Sequence, residues 1–213
     1  MNENMKDLIK GYKEFKDFHF KENEDRFDAL IKDGQKPKAL FIGCSDSRVI
    51  PEMITNSDPG ELFIVRNVGN FVAPFKPDEE YHATASAIEY AVGVLDVTDI
   101  IICGHSHCGA IESLYKDIKH DMDMIHTMKW LELGLEAKNA VSKSMPSASK
   151  YDVLRQTEKV SVVFQLKNLL TYPLVKKKVT TKELFIHGWY YDMDNGVISY
   201  YDNKENIFKP LGS

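Results

Sequence analysis

Two cysteines and a histidine are the residues of this sequence best suited to bind a metal ion. Cys44 lies in the segment Gly-Cys-Ser-Asp-Ser-Arg, and His105 and Cys108 follow 61 and 64 positions later as a His-x-x-Cys pair. Two thiolates and one imidazole bind zinc and leave a fourth coordination position open, whereas a structural site normally takes all four ligands from the protein. The residue types therefore predict a catalytic zinc site with one Zn²⁺ per chain.

A carboxylate and a guanidinium follow the first cysteine, because Asp46 and Arg48 lie two and four positions after Cys44. Zinc lowers the pKa of a bound water to about 7, so that its hydroxide attacks an electrophilic carbon at neutral pH. Two thiolates weaken this effect by neutralising the metal, and an acceptor such as Asp46 beside the water compensates. Arg48 would keep Asp46 ionised through a two-pronged contact. The alternative is a surface ion pair with no catalytic role.

The ligands come at the ends of apolar segments that have the length of strands. Residues 39–43, 62–65 and 100–103 are apolar throughout, which is typical of strands buried on both faces of a parallel sheet. Ligands of open parallel sheets bind beyond the carboxyl ends of the strands, so Cys44 and His105 meet if the first and third segments are neighbours. The alternative, that these are ordinary core residues, does not explain why Cys44 and His105 each follow a glycine at matching strand ends.

Strand-like and helical segments alternate along the chain. Helical spacing covers residues 81–95, 110–118 and 153–170, and further strands are predicted at 184–191 and 197–201. This order predicts an α/β fold with a mostly parallel central sheet, an antiparallel edge strand and flanking helices. Residues 1–213 are interpreted as a single domain, of which residues 1–34 form an N-terminal helical arm. We expect the arm to contact a second subunit, because its aromatic side chains need a surface to cover them: Tyr12, Phe15, Phe18, Phe20 and Phe27.

The composition excludes several classes of protein. A net charge of −5 gives no general reason to expect nucleic acid or an anionic membrane as a partner. Three cysteines do not form a disulfide framework. The first 17 residues lack the apolar region of a secretory signal, and no segment approaches the ~20 apolar residues of a membrane span. We therefore expect a cytoplasmic protein with reduced thiolates.

The motifs together resemble those of the bacterial β-class carbonic anhydrases. The similar segments cover nearly the whole chain: residues 35–37, 44–49, 59–63, 66–70, 87–91, 102–109, 168–173 and 187–192. The resemblance implies reversible hydration of carbon dioxide to bicarbonate and a proton, with zinc-bound hydroxide attacking the substrate in an apolar pocket. It also implies a homodimer or a dimer of dimers in which the N-terminal helix embraces the partner.

The resemblance assigns further residues by position. Cys44, His105 and Cys108 would hold zinc, and Asp46 and Arg48 would form the catalytic dyad. Gln35 and the backbone N–H of Gly109 would hydrogen-bond bicarbonate. The apolar pocket for carbon dioxide would be lined by Phe63, Val68 and Tyr90, for which the alternative is plain core packing.

Members of the family rest in two forms, with either water or the aspartate matching Asp46 as the fourth zinc ligand. The bicarbonate-regulated members combine a tryptophan with an arginine and a tyrosine. Here Arg66 and Tyr191 are present, but Phe41 takes the tryptophan position and lacks the indole donor. His107, beside the ligands, is expected to point away from the metal.

Two other functions are compatible with parts of the pattern. A zinc-binding or redox-sensing module without turnover needs four protein ligands and no Asp46–Arg48 pair, so the pair argues against it. A relative with the same fold that hydrolyses carbon disulfide or carbonyl sulfide is not excluded by the sequence near the site.

Overall fold

A mixed sheet of six strands forms the centre of the computed structural model, which describes residues 2–78, 80–116 and 122–212. The strands are β1 (Ala39–Cys44), β2 (Leu62–Asn67), β3 (Asp99–His105), β4 (Phe185–Asp192), β5 (Val197–Asp202) and β6 (Ile207–Pro210). Their order is β2-β1-β3-β4-β5-β6; the first four are parallel, and β5 and β6 are antiparallel to their neighbours. The predicted α/β fold is confirmed, and its antiparallel edge contains one strand more than the sequence indicated.

The two strands that carry the candidate ligands, β1 and β3, are buried along nearly their whole length. Alternate side chains pack on opposite faces of the sheet, with Leu40 and Ile102 in one core cluster and Phe41 and Cys103 in another. Burial on both faces explains why these segments are apolar without alternation. It also raises the pKa of the Cys103 thiol to about 12, so this cysteine is an inert part of the core.

Helices pack against one face of the sheet. The helices in chain order are α1 (Glu3–Glu14), α2 (Phe20–Glu22), α3 (Glu24–Asp33), α4 (Pro51–Thr55), α5 (Ala83–Gly93), α6 (Gly109–Ser113), α7 (Ile125–Leu131), α8 (Leu135–Ser144), α9 (Lys150–Leu169) and α10 (Pro173–Thr180), and a π-helical turn (Phe15–His19) joins α1 to α2. The helix expected at 110–118 ends early, at Ser113, and residues 117–121 lie outside the described residues. In the part of the chain that the structure describes, no helix is long and apolar enough to cross a bilayer.

The long helix α9 packs directly on β3 and β4. It begins at Ser149, whose hydroxyl accepts a hydrogen bond from the Asp152 amide at 3.1 Å. Its approach to β3 depends on Gly104, because a Cβ at this position would lie 2.6 Å from Cγ2 of Val162. The helix therefore reaches the end of β3 at which the candidate ligands begin.

The N-terminal arm contacts the rest of the chain through α3. Arg26 donates to the Pro59 carbonyl and to Asp58, both at 2.9 Å, and Leu30 packs against Gly60. None of the residues in α1, α2 and α3 is buried, and the side chain of Phe18 is 63% exposed. The arm therefore presents an apolar surface, and its contact with a second subunit stays a prediction.

Candidate metal centre

The sheet register brings the three candidate ligands together. β1 and β3 are neighbours, with Gly43 paired to Cys103, so Cys44 and His105 leave the sheet side by side. Cys108 stands three residues further on, as the N-cap of α6. The two sulfurs and a ring nitrogen of His105 lie within 4.8 Å of one another, and all three residues are buried. The condition stated from the sequence, that the first and third strands are neighbours, is thus met.

The donor set fits a metal ion. Nδ1 of His105 donates a hydrogen bond to the Ser106 carbonyl at 2.8 Å, so in the neutral ring the free lone pair is on Nε2. That Nε2 is buried and makes no hydrogen bond. Buried polar atoms are nearly always satisfied, and ligand histidines typically donate their other nitrogen to a carbonyl or carboxylate. A buried, unsatisfied imidazole nitrogen beside two sulfurs is therefore what a metal site requires.

The pKa values of the two cysteines are shifted in opposite directions by their proximity. The Cys108 thiol beside Cys44 lowers the pKa of Cys44 to about 4, and the Asp46 amide, 3.4 Å from the Cys44 sulfur, acts in the same direction. The same contact with Cys44, together with burial, raises the pKa of Cys108. A divalent cation would allow both thiols to ionise, since a thiolate is the form that binds metal.

Asp46 and Arg48 form a two-pronged ion pair at the rim of this cluster. Arg48 donates from Nε to Oδ1 at 2.9 Å and from Nη2 to Oδ2 at 2.8 Å, and its amide donates to Oδ1 at 3.0 Å. These hydrogen bonds from Arg48 hold the pKa of Asp46 well below its usual range. Among the described residues the ligand cluster has three members, and Asp46 is not one of them.

Arg66, at the end of β2, ties down the segment that carries Cys44 and Asp46. Its Nε donates to the Cys44 carbonyl at 3.0 Å and its Nη2 to the Asp46 carbonyl at 2.6 Å. Phe41 packs edge-on against Trp189 of β4, with 6.4 Å between the ring centroids. The indole that packs here belongs to Trp189 of β4, and Phe41 occupies the position at which the bicarbonate-regulated members have a tryptophan.

Val68 lies in a tight turn beside the metal cluster. Asn67 closes the turn by accepting from the Phe71 amide at 2.8 Å and donating to the Phe71 carbonyl at 2.9 Å. Gly69 adopts a φ of +81° there, which a residue with a side chain rarely takes. Val68 is 43% exposed and lines a cleft of about 900 Å³ together with Ser45 and Trp130. An apolar side chain therefore faces open space next to the Cys44 segment.

The other predicted pocket residues do not lie beside Cys44 within the same chain. Phe63 is in register with Leu40, four residues before Cys44, which corresponds to roughly 13 Å along a strand. Tyr90 packs on Phe63 with 5.9 Å between ring centroids and is 46% exposed. Gln35 is exposed and precedes β1. Gly109 is the first residue of α6, and no atom lies within 4 Å of a Cβ built at this position.

Comparisons with known proteins agree on one family. The family model described as carbonic anhydrase matches residues 39–198. The carbonic anhydrase of Pseudomonas aeruginosa is 38% identical over 207 residues, which cover 97% of this chain and 92% of that protein. The carbonic anhydrase of Synechococcus elongatus is 35% identical over 196 residues, covering 91% and 70% respectively. This chain belongs to the carbonic anhydrase family.

Solved structures place this carbonic anhydrase in the β-class. The β-carbonic anhydrase CcaA matches it with a TM-score of 0.92 at 34% identity, over 100% of this chain and 94% of the other. A tetrameric β-carbonic anhydrase from Sordaria macrospora matches with a TM-score of 0.81 at 25% identity, over 100% and 98%. The resemblance seen in the sequence is confirmed, and the protein is a carbonate dehydratase, a lyase of a zinc-dependent class.

Three contacts around the metal centre of this carbonic anhydrase were not predicted. The carboxylate of Glu158, on α9, lies behind Cys108 and accepts its amide N–H at 3.0 Å. His107 takes a φ of +58° and places Nε2 3.0 Å from both carboxylate oxygens of Asp194, while its carbonyl accepts from Arg48 at 3.1 Å. The sequence signal for Glu158 was an acidic residue within the apolar stripe of a predicted helix.

Proposed function

We propose that Cys44, His105 and Cys108 bind one Zn²⁺ per chain and that this centre hydrates carbon dioxide to bicarbonate with the help of Asp46 and Arg48. The observation that carries the proposal is the buried, unsatisfied Nε2 of His105 facing two sulfurs, within 4.8 Å, at a site whose rim holds an ionised carboxylate. Bound zinc would acidify water and so supply a nucleophile at neutral pH.

Asp46 is the hydrogen-bond acceptor for the attacking water in this proposal. Its carboxylate is held ionised by Arg48, and it lies two residues after a metal ligand, so it accepts the hydrogen bond of the attacking water and aims that water at the substrate carbon. Arg48 is itself oriented by the His107 carbonyl. Because Asp46 is engaged by Arg48 and lies outside the ligand cluster, we propose that the resting site is open, with the fourth position left to water.

The substrate pocket requires two chains in this proposal. Val68 lies in the cleft beside its own metal centre, whereas Phe63 lies near the opposite end of the edge strand β2, with Tyr90 of α5 packed on it. We propose that Phe63, Tyr90 and Gln35 of one subunit complete the pocket of the other. Gln35 and the Gly109 amide then hydrogen-bond bicarbonate, while apolar side chains surround carbon dioxide.

The assembly we propose is a homodimer, or a dimer of such dimers. The exposed aromatic side chains of the arm supply the contact surface, with Tyr12 59% and Phe18 63% exposed in the single chain. Free Cys44 and Cys108 suit a reducing compartment, and we place the enzyme in the cytoplasm.

Metal analysis and stopped-flow kinetics test the proposal. Purified protein should contain close to one zinc per chain, and Cys108→Ser should lose most of it. Asp46→Asn should retain zinc and lose roughly 10²–10⁴-fold in carbon dioxide hydration, since a neutral amide is a weaker hydrogen-bond acceptor for the water and no longer holds Arg48 by charge. Asp202→Asn is the matched control, because Asp202 accepts from Lys209 at 2.7 Å in an ion pair on β5 and β6.

Two results would contradict this proposal. Full zinc occupancy in a Cys44→Ser, Cys108→Ser double variant would refute the ligand assignment, and a zinc-replete Asp46→Asn enzyme with wild-type hydration would refute the role of the carboxylate. Parallel assays with carbonyl sulfide and carbon disulfide decide whether those substrates are also turned over.

A further inference from the structure

A buried carboxylate stands directly behind one of the candidate zinc ligands. Glu158 is 2% exposed and lies in the middle of α9. Its Oε1 accepts from the Cys108 amide at 3.0 Å and from Arg155 Nη2 at 2.6 Å, and its Oε2 accepts from the Tyr190 hydroxyl at 2.9 Å. Three donors from three parts of the chain thus converge on one side chain.

The amide of Cys108 depends on this side chain for its hydrogen bond. Cys108 is the N-cap of α6, and the first amides of a helix have no partner within it. Cys108 is only 2% exposed, so water does not replace the missing partner, and a buried unpaired amide costs about as much as a lost hydrogen bond. Glu158 therefore fixes the backbone from which the Cys108 sulfur projects.

The approach of α9 sets the reach of Glu158. Gly104 lets the helix lie against the end of β3, where the Glu158 carbonyl would be 3.6 Å from a Cβ at position 104. Gln165, two turns further along α9, has the same kind of role elsewhere, because it is fully buried and accepts from the Val72 amide at 2.9 Å. One helix thus holds two loops by equivalent contacts, of which one carries a metal ligand.

We propose that Glu158 is a positioning residue of the metal centre, which orients Cys108 toward Cys44 and His105 by accepting the Cys108 amide. The inference rests on the ligand assignment made in the proposed function. Residues that orient metal ligands typically contribute 10–100-fold to metal affinity. The contribution of Glu158 comes from its reach to the amide and not from packing.

Two variants separate the effect of the length of the Glu158 side chain from the effect of its negative charge. Glu158→Asp keeps the charge but withdraws the carboxylate by about 1.5 Å, one carbon–carbon bond, so it no longer reaches the Cys108 amide. Glu158→Gln loses the charge but keeps an oxygen acceptor at the same reach. Gln165→Asn is the matched control, because it shortens a buried acceptor on the same helix by the same amount, away from the ligands.

The measurement is zinc affinity of the full-length protein by chelator competition, with the thiolate-to-cobalt absorption of the Co²⁺-substituted protein as a second readout. We expect Glu158→Asp to bind zinc about 10–100-fold more weakly and to alter the cobalt spectrum. Glu158→Gln should stay close to wild type in both readouts. Gln165→Asn should lower the melting temperature without changing zinc affinity.

Three outcomes would overturn the inference. They are wild-type zinc affinity in Glu158→Asp, an equal loss in Glu158→Gln and Glu158→Asp, and an equal loss in Gln165→Asn. Failure of the wild-type chain itself to take up zinc would overturn the ligand assignment and this inference with it. If the wild-type chain binds zinc and Glu158→Asp binds it with equal affinity, this inference is overturned and the ligand assignment stands.

Discussion

Gly104→Ala tests how the close approach of α9 supports the metal centre. The new methyl group would lie 2.6 Å from Cγ2 of Val162, about 0.8 Å short of the 3.4 Å at which ordinary contact begins. Val162 is fully buried, and a valine in a helix has essentially one side-chain rotamer, so it does not turn away. The strain is therefore expected to push α9 off β3.

The size of the effect follows from this distance. Inserting a methyl group into a close-packed interior costs about 1–3 kcal/mol. For a chain of 213 residues each kcal/mol lowers the melting temperature by about 2–4 °C, so we expect a decrease of about 2–12 °C. A shift of the helix by most of the 0.8 Å would also lengthen the 3.0 Å contact between Glu158 and the Cys108 amide beyond hydrogen-bonding distance. Zinc retention should therefore fall together with stability.

Thermal unfolding and zinc loss to a chelator measure the two effects, at one fixed protein concentration because oligomerisation stabilises the folded chain. Gly109→Ala is the matched control, since no atom lies within 4 Å of a Cβ built there. Val162→Ala removes the methyl groups that collide. It destabilises by itself through lost burial and a cavity, but in the Gly104→Ala background it should restore part of the stability.

The double-mutant cycle decides the matter, because residues in contact show coupling energies that independent sites do not. We expect the Gly104→Ala, Val162→Ala protein to be more stable than the sum of the single changes predicts. Additive effects, or a Gly104→Ala protein with wild-type melting temperature and zinc retention, would refute the reasoning.

Two further predictions concern the metal-free thiols and the arm. The Cys108 thiol lowers the pKa of Cys44 to about 4, so Cys44 stays a thiolate above about pH 5. The rate of its alkylation in metal-free protein should therefore be nearly constant from pH 6 to 8. The alkylation rate of an ordinary cysteine rises about tenfold per pH unit over this range. Peptide mass mapping should show Cys103 unmodified and Cys44 protected by zinc. A tenfold rise per pH unit at Cys44 would contradict a lowered pKa of this cysteine. Phe18→Glu puts a charge into the predicted contact between the arm and a second subunit, where each buried aromatic side chain contributes roughly 1.5–3 kcal/mol. This variant should shift the protein toward monomer in analytical ultracentrifugation, while Lys21→Glu, at an exposed position, should not.

The sequence predicted the five longer strands and the strand ends at which Cys44, His105 and Cys108 cluster, because both signals are local. Residues 39–43 and 100–103 are apolar throughout since β1 and β3 are buried on both faces, and each strand extends one or two residues further, to Cys44 and His105. β6 was missed because Ile207–Pro210 has four residues, includes a proline and pairs only with β5. Its segment carries too little hydrophobic pattern to indicate a strand.

The contacts around the metal centre were harder to predict because they join distant parts of the chain. Glu158 and Cys108 are separated by 50 positions, and His107 and Asp194 by 87. A charged residue in the apolar stripe of α9 signals that a partner exists, since buried charges are paired or hydrogen-bonded. It does not identify that partner, which depends on how the helix lies on the sheet.

The register of the sheet accounts for both the metal cluster and the need for a second chain. Parallel pairing of β1 and β3 places Cys44 and His105 together at the carboxyl ends of these two strands, so the ligands assemble within one subunit. Parallel pairing of β1 and β2 aligns Phe63 with Leu40 near the amino ends of these strands, and Tyr90 of α5 packs on Phe63 there. An apolar pocket that uses these residues therefore needs another copy of the chain, while the metal does not. If Phe18→Glu dissociates the proposed dimer, zinc binding should survive and carbon dioxide hydration should be lost.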